Sequence, residues 1–429
     1  MRGIIRVKLP KRRLSGSVSL PYSKSLSNRQ LILGAHTGVP FSVEGLSAGD
    51  DTHFLVEALK EIGYVAARVG SEWRFFPPSK YPSSVQLYVG EGGTTLRFLL
   101  PLLARLPLSA RVQAAPSLQR RPIQPLLQSL YEAGAKVRLA PHTYPIGIEG
   151  NPTWRPCAFR IDSAVSSQFL SALMLMAPGL DEGTVIYELA ETPATKAYGE
   201  MTQQLLMRAG WTWQFTEVGW QLVAKSAPYS SYVFYGERDW SAAAVFFGLA
   251  ALEAFEGVLP LSLDSLQPEA RLFSALEWNY TLTPVAGGLR VAPKGVPLQG
   301  IEVDVRDYPD SALVLAVVAA MANSPSCLRG VHTLPYKETD RLQALVMELS
   351  KVGAHLAIKS DALVIQPAPR LPVEPPVFES YGDHRLAMAL SLLAARCEMV
   401  TITHPRCVIK SFPGYWRELE GLGAQCREE

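Results

Sequence analysis

Six segments of the chain share one pattern, in which a short polar or glycine-rich head leads into an almost wholly apolar run of helical length. The heads are marked by Lys24, Gly93, Ser167, Trp240, Asp310 and Asp383. Their spacings are 69, 74, 73, 70 and 73 residues, so a period near 72 accounts for the whole chain, well beyond the 20–50 residues of solenoid repeats. Since a helix that is apolar on every side must be surrounded by protein, the pattern predicts six buried helices.

A second, amphipathic helix occurs in most of the repeats and ends just before a glycine. The glycines are Gly63, Gly134, Gly210, Gly353 and Gly423. Glycine is common after a helix because it adopts the left-handed conformation without a steric penalty. The fourth repeat lacks this glycine, and we expect Asn279 to take its place. Each repeat therefore combines a buried helix, a half-exposed helix and short strands, which predicts an α/β fold.

Two segments of the sequence are informative about the cellular location of the protein. The alternation from Ile4 to Leu9 predicts an edge strand with a solvated basic face. The apolar block of a secretory signal does not follow it, and the longest apolar run, 312–322, is shorter than the roughly 18 residues of a membrane span. We therefore expect a soluble, cytoplasmic protein.

Composition excludes several classes of protein. The 429 residues are 48% hydrophobic and 19% charged, which excludes a disordered chain. The formal net charge is +2, so the overall charge does not favour nucleic-acid binding. The five cysteines form no CxxC pair and the seven histidines form no HExxH pair, so we expect no disulfide framework, no metal and no cofactor.

Cations are concentrated at the heads despite the nearly neutral overall charge. The heads and the segments beside them carry Lys24, Arg29, Arg97, Arg121, Lys337, Arg341, Arg385 and Lys410. Helix N-termini attract anions through free N–H groups and the macrodipole, so heads that converge would bind a small, multiply anionic ligand. The alternative is that these residues are ordinary helix caps and solvated charges. Periodicity thus indicates an anion-binding α/β enzyme and leaves the reaction open.

Eight short motifs, in order along the chain, resemble those of the EPSP synthase family of enolpyruvyl transferases. They are Ser23-Lys24-Ser25 with Ser27-Asn28-Arg29, Gly93-Thr94 with Arg97, Arg121-Pro122-Ile123, Ser166-Ser167-Gln168-Phe169, Pro309-Asp310-Ser311-Ala312, Lys337-Glu338-Thr339-Asp340-Arg341-Leu342, Asp383-His384-Arg385, and Lys410 before Phe412-Pro413. The resemblance extends from about Leu20 to Pro413, which is nearly the full chain.

The resemblance implies a two-domain fold in which each half contains three βαβαββ units. The N-termini of the buried helices would face the interdomain cleft. The chain would cross between the halves near Pro21 and again near 236–239. This places residues 1–20 and 239–429 in one domain, including the N-terminal strand, and residues 21–238 in the other.

The implied reaction transfers the enolpyruvyl group of phosphoenolpyruvate to the 5-hydroxyl of shikimate 3-phosphate and releases phosphate, as a step of the shikimate pathway to chorismate. Addition and elimination through a tetrahedral intermediate need a base for the hydroxyl, an acid for the methylene carbon, and cations that hold two anions together. The two substrates are the expected partners of a monomer that binds neither nucleic acid nor membrane.

The resemblance also implies a role for each motif residue. Shikimate 3-phosphate would be bound by Lys24, Ser25, Arg29, Ser166, Ser167, Gln168, Thr195, Tyr198, Asp310 and Lys337. Phosphoenolpyruvate would be bound by Lys24, Gly93, Arg121, Gln168, Arg341, Arg385 and Lys410. The catalytic residues would be Asp310 as the base, Glu338 as the proton donor to carbon, Lys24 and Lys410. The alternative roles are a helix N-cap for Asp310 and, for Glu338, an ion pair that stabilises its own helix start.

The chain departs from the family pattern at several positions. Tyr22 replaces a glycine before Ser-Lys-Ser, Glu91-Gly92 replaces Asn-Ala, Phe98 replaces a proline, Thr195 replaces a serine, and Thr333 replaces an asparagine. The reaction class is unaffected. The departures leave pocket shape, substrate affinity and sensitivity to inhibitors, glyphosate among them, open.

Two other functions fit parts of the pattern. UDP-N-acetylglucosamine enolpyruvyl transferase shares the fold, but it has Lys-Asn where this chain has Lys24-Ser25. It also commonly carries a reactive cysteine, and there is none between Leu106 and Arg121. A non-catalytic relative could bind an anionic metabolite, yet it would not need both Asp310 and Glu338.

Overall fold

The computed structural model describes residues 3–138, 144–190, 194–217, 219–227, 229–276, 278–368 and 371–429. The chain divides into two compact units. The N unit is Tyr22–Glu237, and the C unit joins Met1–Pro21 to Arg238–Glu429.

The helices of the described residues alternate with strands along most of the chain. They are α1 (Lys24–Thr37), α2 (Asp50–Ile62), α3 (Gly93–Arg105), α4 (Pro116–Gln119), α5 (Gln124–Glu132), α6 (Gln168–Met174), α7 (Ala197–Arg208), α8 (Trp240–Ala251), α9 (Glu269–Ala275), α10 (Ala312–Ala319), α11 (Arg341–Ser350), α12 (His384–Ser391) and α13 (Tyr415–Gly421). Short 3-10 helices cover Ala177–Gly179, Leu334–Tyr336, Leu392–Ala395 and Pro405–Lys410. Among the helices of the described ranges, none is long and apolar enough to cross a membrane.

The strands of the described residues are all short. They are β1 (Ile4–Lys8), β2 (Leu14–Ser17), β3 (Phe41–Glu44), β4 (Val65–Val69), β5 (Glu72–Phe76), β6 (Ser84–Tyr88), β7 (Ser109–Gln113), β8 (Lys136–Val137), β9 (Ile146–Glu149), β10 (Ala158–Ile161), β11 (Val185–Glu188), β12 (Trp211–Thr216), β13 (Gly219–Lys225), β14 (Tyr232–Tyr235), β15 (Phe255–Leu259), β16 (Tyr280–Val285), β17 (Gly288–Pro293), β18 (Glu302–Asp304), β19 (Ser326–Arg329), β20 (His355–Lys359), β21 (Ala362–Gln366), β22 (Val377–Phe378), β23 (Val400–Thr403) and β24 (Gln425–Glu428).

These strands form four-stranded sheets that repeat one topology. In the N unit the orders are β14-β3-β5-β4, β6-β7-β9-β8 and β10-β11-β13-β12, and in the C unit they are β16-β17-β15-β2, β18-β19-β21-β20 and β22-β23-β1-β24. In the second sheet β6 and β7 are parallel and are joined through α3, whereas β9 pairs antiparallel with both β7 and β8. This is the βαβαββ unit that the resemblance implies.

Three strands complete repeats that are distant in the sequence. Strand β14 pairs in parallel with β3, and β2 pairs in parallel with β15. Strand β1 pairs antiparallel with β23 on one side and with β24 on the other. The prediction of an edge strand at the N-terminus is therefore wrong, because the C-terminal strand covers the second side of β1. Its basic face is exposed as predicted, at Arg6 and Lys8.

The six predicted buried helices are α1, α3, α6, α8, α10 and α12. All eight residues of α10 are buried, and so are eleven of the 12 residues of α8. A Cβ atom at Gly248 of α8 would lie 2.9 Å from Val314 Cγ1 of α10, so glycine allows these two helices to approach closely. In the N unit, α3 packs against both α1 and α6. Three buried helices thus pack together in each unit.

The glycines after the amphipathic helices behave as the sequence predicts. Gly63, Gly134, Gly210, Gly353 and Gly423 all have positive φ. The prediction for Asn279 is wrong, because α9 ends at Ala275, the next residue is extended, and Asn279 does not have a positive φ. Its side-chain amide instead donates to the carbonyl of Ala251 and accepts from the backbone N–H of Val296.

Candidate active site

The first turns of the three buried helices lie together in the N unit. The Asn28 amide of α1 donates to the Thr95 hydroxyl of α3 at 3.3 Å. Gln168, the first residue of α6, donates from Nε2 to Thr94 Oγ1 at 3.0 Å. Polar residues at the helix starts therefore bond to one another, which confirms within this unit the convergence that the sequence predicts.

Gly93 begins α3 beside two guanidinium groups. A Cβ atom at this position would lie 2.9 Å from Arg97 Nη1 and 3.1 Å from both Cζ and Nη1 of Arg121. The preceding N-cap residue, Gly92, has no side chain to accept from the first N–H groups of the helix. A helix N-terminus without acidic side chains and flanked by two arginines attracts anions.

Arg97 links this helix start to that of α6. Its Nη1 donates to Gln168 Oε1 at 2.6 Å, and its Nη2 donates to the carbonyl of Pro122 at 2.7 Å. The guanidinium also lies over the ring of Phe169, 5.2 Å from the centroid. Arg97 therefore orients Gln168, one of the predicted ligands of both substrates.

Lys24 forms a buried ion pair with a residue that sequence reasoning did not select. Its Nζ lies 3.0 Å from Asp51 Oδ2, and the two side chains are 10% and 4% exposed. Asp51 is the second residue of α2, where acidic residues are common because of the helix dipole. Because an acidic residue in the first turn of a helix is common, the sequence did not indicate that Asp51 also pairs with Lys24.

Arg29 is held on several sides by the N unit. Its Nε donates to Thr202 Oγ1 at 2.8 Å, and its Nη2 donates to Ser171 Oγ at 3.0 Å. Its Nη1 donates to the carbonyl of Ser25 at 2.9 Å. The guanidinium lies 5.3 Å from the centroid of the Phe98 ring, so the departure at position 98 contacts a predicted substrate ligand.

The remaining predicted ligands of the N unit lie around the starts of α6 and α7. Ser166 Oγ accepts from the backbone N–H of Gln168, and Ser167 is buried with no side-chain bond to the helix it precedes. Thr195 is buried just before α7. Tyr198 is half-buried in the first turn of α7, with its ring 5.7 Å from Arg29 Cζ.

Arg341 is the centre of the charged cluster in the C unit. Its side chain is 1% exposed and contacts three carboxylates. Nε lies 2.8 Å from Asp383 Oδ2, Nη1 lies 2.8 Å from Asp310 Oδ1, and Nη2 lies 3.1 Å from Glu338 Oε2. Both predicted catalytic carboxylates thus contact one guanidinium.

Lys410 and Arg385 complete the cluster. Lys410 Nζ lies 3.0 Å from Glu338 Oε1, so Glu338 bridges two cations. Arg385 lies 3.8 Å from Asp310 Oδ2 through Nε and 3.7 Å from Asp239 Oδ2 through Nη2. Asp239 and Asp383 are the N-caps of α8 and α12, and Asp310 precedes α10. The three helix starts of the C unit therefore converge as well.

The charges around Asp310 determine its protonation. Burial raises the pKa of Asp310, but Arg341, Arg385 and Lys337 outweigh that effect and hold it well below its usual range. Burial likewise lowers the pKa of Arg341, and its carboxylate partners reverse the shift, so that its pKa is well above the usual range. The cluster is an ionised network in which Asp310 carries a negative charge at neutral pH.

A purely structural role was the alternative for each predicted catalytic carboxylate: a helix N-cap for Asp310 and a helix-stabilising ion pair for Glu338. The structure contradicts the first and agrees in part with the second. Asp310 is not the N-cap of α10, because that position is Ser311, which makes no side-chain capping bond. Glu338 does pair with Arg341, three residues later and first in α11, as the structural alternative proposes. Its second bond, to Lys410, is not explained by helix stability.

Two further departures are local in their effects. Glu91 is exposed and accepts from the hydroxyl of Ser117 at 2.7 Å. The ring of Tyr22 lies over Gly45, in space that a side chain at Gly45 would occupy. In the described ranges, no group of three or more His, Cys, Asp or Glu side chains is arranged to hold a metal ion.

Fold and site together define an α/β protein in which charged side chains cluster at the starts of buried helices. The family model described as EPSP synthase (3-phosphoshikimate 1-carboxyvinyltransferase) matches residues 9–419. The 3-phosphoshikimate 1-carboxyvinyltransferase of Dehalococcoides mccartyi is 32% identical, over 99% of this chain and 100% of the relative. The protein of the same name from Haemophilus ducreyi is 33% identical, over 98% of this chain and 99% of the relative. The chain belongs to the EPSP synthase family.

A solved structure agrees with this assignment at the level of the fold. The EPSP synthase of Acinetobacter baumannii covers 100% of this chain and is itself covered to 100%, with a TM-score of 0.79 and 23% identity. The fold class that the motifs imply is thereby confirmed.

Proposed function

We propose that this protein transfers the enolpyruvyl group of phosphoenolpyruvate to the 5-hydroxyl of shikimate 3-phosphate and releases phosphate. Membership of the family and the names of its full-length relatives support this activity. One observation carries the proposal furthest. Asp310 and Glu338, the two groups that the reaction needs as base and acid, both contact the buried guanidinium of Arg341.

The N unit supplies mainly cations and hydroxyls in this proposal. Ser166, Ser167 and Thr195 bind the phosphate of shikimate 3-phosphate, Ser25 and Arg29 bind its carboxylate and hydroxyl side, and Gln168 and Tyr198 line the ring. Arg121 and the backbone N–H groups at Gly93 bind phosphoenolpyruvate, and Lys24 contacts both substrates. The geometry supports these roles because Arg29 and Gln168 are oriented by bonds to their neighbours before any ligand arrives.

Asp310 acts as the base in the C unit. A carboxylate with a depressed pKa is a weak base, but an anionic substrate offsets the cations that depress it. Phosphoenolpyruvate on Arg385 and shikimate 3-phosphate on Lys337 would each weaken the pull on Asp310. The carboxylate then accepts the proton of the 5-hydroxyl while the oxygen attacks the enolpyruvyl carbon.

Glu338 acts as the proton donor to the methylene carbon. It must hold a proton at that moment, although Lys410 and Arg341 both favour its charged form. A phosphate and a carboxylate bound to those two cations compete for their charge and raise the affinity of Glu338 for a proton. The same cations stabilise the negative charge that develops in the tetrahedral intermediate.

We also propose that the enzyme acts as a monomer in the cytoplasm. All predicted ligands of both substrates are present in one chain, which supports a monomer. The five cysteines are free, which supports a reducing compartment. Sedimentation at working concentration tests the first statement, and localisation of a tagged chain tests the second.

Phosphate release from phosphoenolpyruvate tests the proposed reaction. We expect release with shikimate 3-phosphate as the acceptor and none with UDP-N-acetylglucosamine. Release with the second acceptor alone would transfer the assignment to the other enolpyruvyl transferase. A folded protein that binds shikimate 3-phosphate and releases no phosphate with either acceptor would be a non-catalytic relative.

A further inference from the structure

The two proposed proton-transfer groups lie on segments of the C unit that leave one sheet at the same edge. The Asp310 segment (305–311) connects β18 to α10, and the Glu338 segment (330–340) connects β19 to α11. Strands β18 and β19 are parallel, and their last residues pair with each other. The two segments therefore start side by side, and the bonds at this edge determine where each of them begins.

Asp361 lies at the same edge of the sheet. It belongs to the two-residue turn 360–361 between β20 and β21. Strand β21 pairs antiparallel with β19, so that Ala362 at the start of β21 is opposite Arg329 at the end of β19. Asp361 is consequently next to Gly330, whose backbone N–H donates to the Asp361 carbonyl at 2.8 Å. The topology thus places an acidic side chain where both segments begin.

The Asp361 carboxylate contacts both segments. Its Oδ1 accepts from the backbone N–H of His332 at 2.8 Å and lies 3.2 Å from ring Nδ1 of the same residue. Its Oδ2 accepts from Arg306 Nη2 at 3.3 Å. Arg306 precedes Asp310 by four residues, and His332 precedes Glu338 by six. One carboxylate therefore joins the segment of the proposed base to the segment of the proposed proton donor.

The two segments also approach each other closely at Gly330. This residue has a φ of +74°, and a Cβ atom on it would lie 2.6 Å from Arg306 Cβ. Asp304 Oδ1 accepts from the backbone N–H of Arg306 at 2.9 Å, and the N–H of Val305 donates to the carbonyl of Arg329 at 2.8 Å. The starts of the segments are therefore packed together, so a change at Asp361 affects both.

We propose that Asp361 is a positioning residue that holds both segments, so that Asp310 and Glu338 keep the separation that proton transfer needs. This inference rests on the proposed function. Arg341 contacts the ends of the two carboxylates, whereas Asp361 holds the backbone that carries them. Proton transfer needs its groups within hydrogen-bond reach, and a displacement of about 1 Å can lower turnover about a hundredfold.

Steady-state phosphate release by Asp361→Ala tests the proposal. We expect kcat to fall about 10- to 100-fold through misplacement of the two carboxylates. KM for shikimate 3-phosphate should rise several-fold, because Lys337 lies on the Glu338 segment. KM for phosphoenolpyruvate should be nearly unchanged, because Asp383 holds Arg341 independently of Asp361. A merely smaller folded fraction would leave both KM values unchanged, and a kcat equal to that of the wild type would overturn the proposal.

Glu256→Ala is the matched control. Glu256 pairs with Arg290 in a different sheet of the same unit, and its side chain is 33% exposed, against 36% for Asp361. This variant also removes a half-buried carboxylate from an arginine, but not at an active-site segment. Its kcat and both KM values should equal those of the wild type. Equal losses in the two variants would overturn a specific role for Asp361.

Amide hydrogen exchange, followed by mass spectrometry, tests the placement without turnover. In Asp361→Ala, exchange should become faster at the Asp310 segment and at the Glu338 segment while the rest of the C unit keeps its protection. Unchanged exchange at both segments would overturn the proposal even if the variant were slow. A wild type that releases no phosphate with shikimate 3-phosphate would overturn the proposed function, whereas the exchange result would still decide whether Asp361 holds the segments.

Arg306→Gln is the second variant, for the case in which Asp361→Ala does not fold. Arg306 is 39% exposed, so the fold should tolerate glutamine there. The substitution removes the charged bond between Asp361 and the Asp310 segment and leaves the bond to His332 in place. We expect faster exchange at the Asp310 segment alone, with a lower kcat. Exchange as slow as in the wild type would show that Asp361 does not hold this segment, which would overturn the proposal.

Discussion

Arg341 and Asp310 form an ion pair whose two atoms, Nη1 and Oδ1, are 2.8 Å apart, and the arginine in this pair is 1% exposed. Asp383, which has no exposed side-chain surface, fixes the same guanidinium from the other side at 2.8 Å. Asp383 also accepts from the backbone N–H groups of Arg385 and Leu386 at the start of α12. The position of the proposed base therefore depends on a chain of bonds that ends in a helix backbone.

Replacing either proposed catalytic carboxylate should abolish most turnover. We expect Asp310→Asn and Glu338→Gln to lower kcat by about 10²–10⁴, since each removes one proton-transfer group. KM should change little because the cations that bind the substrate anions remain. Steady-state phosphate release measures both constants. Asp264→Asn, an exposed substitution in the same unit, is the control, and near-normal turnover in both variants would contradict the assigned roles.

The stability of the C unit should depend on Asp310 at acidic pH. The folded-state pKa of Asp310 is well below the unfolded value of about 3.9, so its ionisation stabilises the folded state above that value. This contribution is lost as the pH falls below about 4. We expect the difference in free energy of unfolding between wild type and Asp310→Asn to shrink between pH 5 and pH 3. Urea denaturation at each pH measures it, and a constant difference would show that Asp310 is not ionised through this pairing.

The sequence alone predicted the six buried helices because an all-round apolar run is a strong local signal. It also predicted that helix starts carry the charged residues, since the heads recur with a fixed period. It could not predict that Lys24 pairs with Asp51 or Arg341 with Asp383. These partners are 27 and 42 residues apart, and only the packing of separate helices brings them together. The pairing of β1 was mispredicted for the same reason, since its second neighbour is β24.

The buried ion pair of Lys24 and Asp51 should be a large contributor to the stability of the N unit. Asp51→Ala leaves a buried ammonium without its partner, which typically costs about 3–5 kcal/mol. Denaturant unfolding should show this loss. Glu149→Ala is the control, because its pair with Lys136 is 70% and 74% exposed and should contribute far less. Equal effects of the two substitutions would mean that Lys24 is solvated in solution.

Phe98 should control affinity for shikimate 3-phosphate through Arg29. Phe98→Leu keeps an apolar side chain but removes the ring face beneath the guanidinium, an interaction typically worth about 0.5–2 kcal/mol. We expect KM for shikimate 3-phosphate to rise about three- to tenfold while kcat is nearly unchanged. A fall in kcat with constant KM would show that Phe98 does not act through the affinity of Arg29 for shikimate 3-phosphate.

Gly93 should control affinity for phosphoenolpyruvate through the two arginines beside it. In Gly93→Ala the new methyl group would lie within 3.1 Å of the guanidinium groups of Arg97 and Arg121. Both are ends of flexible side chains, so the fold should tolerate the change while the arginines shift away from the helix start. We expect KM for phosphoenolpyruvate to rise about tenfold, equivalent to the loss of one charge-assisted hydrogen bond. KM for shikimate 3-phosphate should change less.

Gly147→Ala is the matched control for this experiment. A Cβ atom at Gly147 would meet no atom within 4 Å, and the residue does not have a positive φ, so alanine fits there without displacement. Equal KM values for phosphoenolpyruvate in the two alanine variants would show that the space beside Gly93 is not used by the substrate. A rise confined to Gly93→Ala would locate phosphoenolpyruvate at the start of α3, because the only change made there is one methyl group against Arg97 and Arg121.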